Sequence, residues 1–95
     1  MKFYLDERPP CPGDEIAFIQ IIDDPACARQ TWYVHARDAK PEHIMEAFAE
    51  DTYEVAMIDE FWHHVVLTMP DGKKYEGVIY AETTVNVGAT SCQPI

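Results

Sequence analysis

The sequence predicts an α+β domain with one helix, about 39–50, packed on one face of an antiparallel sheet, in the order β-β-β-α-β-β-β. Three observations lead there. Hydrophobic residues make up 47% of 95 positions, enough for one core and too few residues for two. Short β-rich runs lie on both sides of the one segment with clear helical spacing. A turn at Met69-Pro70-Asp71-Gly72-Lys73 joins two of those runs as a hairpin. One helix covers only one face of so many strands, so the sheet is expected to be antiparallel and two-layered.

The elements follow in order. Lys2–Leu5 reads as a short strand, and Pro9, Pro10, Pro12 and Gly13 as a stiff loop. Glu15–Ile22 is β-rich and ends at Asp23-Asp24-Pro25. Thr31–Arg37 alternates, with Trp32, Val34 and Ala36 on one face and Tyr33, His35 and Arg37 on the other. Asp38 is expected to cap the helix, with Pro41 in its first turn, and Ile44, Met45 and Phe48 form its apolar face. Strands are expected over 53–58 and 61–69, and Lys74–Ala81 returns from the hairpin. Thr83–Val87 is a short optional strand before a loose tail.

A three-residue loop Pro70-Asp71-Gly72 fixes the hairpin register. Met69 then opposes Lys73, Leu67 opposes Tyr75, Val65 opposes Gly77, His63 opposes Ile79 and Phe61 opposes Ala81. Phe61, His63, Val65, Leu67, Met69, Tyr75 and Ile79 share the face expected under the helix. Trp62, His64, Val66, Thr68, Lys74, Glu76, Val78 and Tyr80 share the other, an aromatic-centred patch suited to a protein partner unless a loop or the Pro-rich segment covers it.

Charge narrows the function classes. Seven Lys+Arg against 17 Asp+Glu give a net charge of −10, which disfavours direct binding to nucleic acid or to an anionic membrane. No apolar run approaches the length of a membrane-spanning helix, and no apolar stretch near the N-terminus suggests a signal peptide. The expectation is a cytoplasmic protein with reduced thiols, since Cys11, Cys27 and Cys92 form no C-x-x-C pair. His35, His43, His63 and His64 have no ligand spacing with those cysteines, so neither metal nor cofactor is expected. Glu60-Phe61-Trp62-His63 matches Glu-x-x-His, but the expected strand gives it no helical geometry. Phosphate-binding glycine motifs and a nucleophile elbow are lacking, and Ser91 is the lone serine, so no catalytic residue is assigned.

The acids carry the functional reading. Residues 38–60 hold eight acids against Lys40, a net of −7. Asp38, Glu42, Glu46 and Glu50 recur every four residues, and Glu54 continues the series. The bland account is a solvated face. The sharper one is a row of carboxylates that docks in the basic groove of a partner, itself a nucleic-acid-binding protein. Small acidic inhibitors of phages and mobile elements, among them DNA mimics and anti-CRISPR proteins, share this charge profile, as do immunity proteins that block basic nucleases. The expected partner-binding residues are therefore Asp38, Glu42, Glu46, Glu50, Glu54, Trp62, His64 and Tyr80. Two other classes stand beside it: an assembly subunit dimerising through the aromatic sheet face, and a metal or small-molecule binder built on the histidines.

Overall fold

A computed structural model describes residues 1–56, 60–83 and 86–95. Three strands, one helix and three strands follow one another: β1 (Phe3–Leu5), β2 (Ile16–Ile21), β3 (Trp32–His35), α1 (Pro41–Ala56), β4 (Phe61–Thr68), β5 (Lys74–Thr83) and β6 (Asn86–Pro94). They form a six-stranded antiparallel sheet in the order β1-β3-β2-β4-β5-β6. Among the described residues, no helix is long and apolar enough to cross a membrane.

The β4–β5 register matches the turn chemistry residue by residue. Phe61 pairs with Ala81, His63 with Ile79, Val65 with Gly77 and Leu67 with Tyr75. Met69 N–H donates to Lys73 C=O at 2.8 Å, and Gly72 takes the positive φ of 89° that closes the loop.

The helix lies over the face predicted for it. Ile44, Met45, Phe48 and Ala49 are buried against Ala17, Ile19, Ile21, Val34, Val65, Leu67 and Ile79. The Phe48 ring stands 5.1 Å from Phe3 and 5.3 Å from Trp32, so β1 and β3 close the core over one flank. Each such large side chain contributes about 1.5–3 kcal/mol by leaving water.

The largest differences from expectation fall at the two ends of the helix and in the tail. Asp38 does not cap the helix. It sits in a left-handed turn at φ 59°, and the first helical bond runs from Ile44 N–H to Lys40 C=O, with Pro41 as the first helical residue. The strand expected over 53–58 is instead helix through Ala56, and residues 57–59 lie outside the described residues. Thr52 and Val55 are only weak helix-breakers, and no Gly or Pro stops a helix that gains one hydrogen bond per added residue. The expected strand Thr83–Val87 is divided: Thr83 ends β5, residues 84–85 lie outside the described residues, and Asn86 and Val87 open β6, whose nine residues take up most of the expected loose tail. Its small residues let other groups approach. The Tyr80 ring lies over Gly88, while Val87, Ala89 and Cys92 pack on the core side.

Candidate functional site

The helix positions its carboxylates by periodicity alone. With Ile44, Met45, Phe48 and Ala49 buried, Glu42, Glu46, Glu50 and Glu54 are all exposed. Successive members rise about 6 Å, so the row runs about 18 Å along the axis. Among the described residues, no Lys, Arg or His forms an ion pair with any of the four. Glu42 stands in the first turn, where the helix dipole favours it, whereas the last turn contains no basic residue to offset Glu54. Beside this row, burial pushes the Asp51 carboxyl above the usual carboxylate range, and the charge of Glu54 adds to the effect. Asp38, expected in the same row, is exposed but precedes the helix and follows no helical spacing.

Trp62, His64 and Tyr80 occupy the opposite side of the molecule. Strand alternation turns them away from α1, onto the face the helix does not cover. Trp62 is 54% exposed, and its ring lies 5.5 Å from that of Tyr80. His64 and the neighbouring Ile22 are also exposed, the latter at 59%. The Pro-rich segment shields a different part of this face. The Arg8 guanidinium lies 5.3 Å over Tyr33, Tyr33 contacts Phe18, and Pro9 is buried. Seven of the eight expected partner-binding residues therefore form two surfaces, a helix face and a sheet face, with the sheet between them, while Asp38 belongs to the turn that precedes α1.

Asp23 orders the end of the central β2–β4 pair, near the two histidines. Its Oδ2 accepts the His64 backbone N–H at 3.0 Å, and its Oδ1 lies 3.4 Å from His63 Nδ1. Burial alone would raise this carboxyl; the hydrogen bond from His64 and the His63 imidazole outweigh it and hold it below the usual range. His63 is thus a hydrogen-bonded, half-buried histidine where a buried one was expected. A cavity of about 360 Å³ opens beside it, lined by Phe3, Ile21, Cys27, Trp32, Asp51 and Thr52 among others.

The three cysteines are free. Burial raises the Cys27 thiol, with Asp24 and Asp23 adding to it, and burial and Glu42 raise Cys92, so neither is poised as a thiolate. Cys11 is placed differently. Its sulfur lies with a Glu15 oxygen and a His35 nitrogen, all within 4.8 Å of one another. Sequence reasoning considered His35 and Cys11 but not Glu15, because the pairing of β2 with β3 brings Glu15 and His35 together across 20 positions.

No protein-family model, curated protein or solved structure gives a significant match to this chain. Fold and surface define a small acidic two-layer α+β protein, and its functional reading rests on the geometry of its surfaces.

Proposed function

We propose that this protein is a non-enzymatic binding protein that engages a basic partner surface through the exposed carboxylates of α1. The carrying observation is the row Glu42, Glu46, Glu50 and Glu54, exposed together and without a basic neighbour in ion-pair contact among the described residues. Like charges at i,i+4 each cost a few tenths of a kcal/mol, which a surface serving only solubility avoids by alternating Glu with Lys. A basic groove that binds nucleic acid supplies the missing countercharges. The row carries one charge per about 6 Å of helix. One strand of duplex DNA carries one per about 3.4 Å, so the helix presents about half its linear charge density. An inhibitor that occupies such a groove, as a DNA mimic or an anti-CRISPR protein does, is the specific form of this reading.

The test is kinetic. Complementary exposed charge mainly accelerates encounter and is screened by salt. The triple variant Glu42→Lys, Glu46→Lys, Glu50→Lys should fold, since all three side chains are exposed. Stopped-flow mixing with the captured basic partner should show association slowed at least ~tenfold at low salt, with a flattened salt dependence. An unchanged on-rate would remove the helix face from the account. Exposure of Trp62 favours a second reading, self-association through the sheet face, which sedimentation at rising concentration reads directly.

A further inference from the structure

We propose that Cys11, Glu15 and His35 form a binding site for one divalent transition-metal ion, with zinc as the fitting member of that class. The three donors lie within 4.8 Å of one another and supply a sulfur, an oxygen and a nitrogen. That mixed set suits zinc, which takes Cys, His and carboxylate ligands, and it does not suit calcium or magnesium, which take oxygens.

The backbone holds the donors in place before any ion arrives. Cys11 sits between Pro10 and Pro12, and its N–H donates to Pro9 C=O at 2.8 Å. Glu15 ends a single 3-10 turn, Gly13–Glu15, and its C=O accepts the Ala36 N–H at 2.8 Å. His35 ends β3 opposite Ile16. Two prolines and a strand pairing thus limit the ordering that binding requires.

The side chains need small adjustments. His35 Nε2 and Glu15 Oε2 stand 2.9 Å apart, joined by a hydrogen bond. Tetrahedral zinc with bonds of about 2.0–2.1 Å to nitrogen and oxygen separates such donors by roughly 3.4 Å. The pair must open by roughly half an ångström, and the His35 side chain, 49% exposed, is free to do so. Arg37 lies 3.7 Å from the other carboxylate oxygen, Oε1, which leaves Oε2 as the single donor. On binding, the Cys11 thiol loses its proton to solvent. The imidazole offers Nε2 as its neutral Nδ1–H tautomer, and the hydrogen bond to Glu15 is given up for the two bonds to the metal. A cleft of about 370 Å³, lined by Lys2, Tyr4, Pro9, Pro10, Cys11 and His35, adjoins the donors. It leaves room for water or a small ligand at the fourth position, the pattern of an open rather than a closed zinc site.

Titration of the full chain with zinc chloride tests this, with cobalt chloride as the spectroscopic probe. Calorimetry should give about one equivalent bound, tighter at higher pH because protons are released. Cobalt should produce a thiolate-to-metal charge-transfer band. Cys11→Ser and His35→Ala should each weaken zinc binding at least ~tenfold, and Cys11→Ser should abolish the band. His43→Ala, an exposed histidine on α1, should change neither. No saturable binding, a cobalt spectrum without the thiolate band, or unchanged affinity in either ligand variant would overturn the site.

Discussion

Replacing Glu50 by Lys should stabilise the protein. Glu50 stands between Glu46 and Glu54 on α1, so it takes part in two like-charge pairs at i,i+4. The substitution removes both repulsions and creates two attractions. At about 0.2–0.5 kcal/mol for each of the four changes, the gain is about 1–2 kcal/mol. For a chain of this length that corresponds to a rise in Tm of about 4–8 °C per kcal/mol. Glu50→Gln removes the repulsion without adding attraction and should give about half the gain. Circular dichroism melts at low salt check the size. Melts near 1 M salt check the cause, because a Debye length of about 3 Å leaves little of an exposed charge interaction. An unchanged Tm at low salt, or a gain undiminished at high salt, would show that the row carries no electrostatic strain. Nothing in the energetics of the row would then call for a partner.

Three further outcomes are expected. Gly77→Ala should destabilise the fold by about 1–3 kcal/mol in urea unfolding, because the added Cβ would lie 2.8 Å from Met45 Sδ and 3.0 Å from the Thr90 carbonyl oxygen; a change under about 0.5 kcal/mol would contradict this packing. Asp51→Asn should stabilise at neutral pH, since burial and then Glu54 raise this carboxyl in the folded state. That raised value means the favourable, protonated state is fully present below the unfolded pKa of 3.8 and is lost as pH rises through the folded one. The variant's advantage in urea unfolding should therefore be larger at about pH 7 than at about pH 3, and an equal advantage at both would refute the charge argument. Trp62→Ala should cost about 1–2 kcal/mol, mostly its contact with Tyr80, against about 3–5 for a buried tryptophan; a larger loss in thermal unfolding would show that this ring belongs to the core.

Local rules made much of this fold legible. Pro70-Asp71-Gly72 set the β4–β5 register, and from that register came the division into a helix-covered face and an open one. The burial of Ile44, Met45 and Phe48 and the exposure of the glutamates followed from spacing alone. The helix end was illegible because no glycine or proline marks it, and Thr52, Tyr53 and Val55 suit a strand as well. Most of β6, beyond Val87, was missed because Gly88, Ala89 and Ser91 advertise no strand, and contacts with β5 and the core supply the reason. Asp38 reads as a cap by residue type, but it sits in a turn, and Ala39 and Lys40 intervene before the helix starts. Glu15 and His35 meet only through strand pairing, which no local pattern encodes.

We propose that the outer face of α1, rather than the open sheet face, binds the partner. Three baits presented side by side to extracts of the native host separate the two faces: the unaltered chain, the Glu42/Glu46/Glu50→Lys variant and Trp62→Ala. The unaltered chain and Trp62→Ala should both retain the same basic, nucleic-acid-binding protein, more strongly at about 50 mM than at about 150 mM salt, and the triple variant should lose it. Retention by the triple variant together with loss in Trp62→Ala would rule out the helix face and move the binding surface to the sheet.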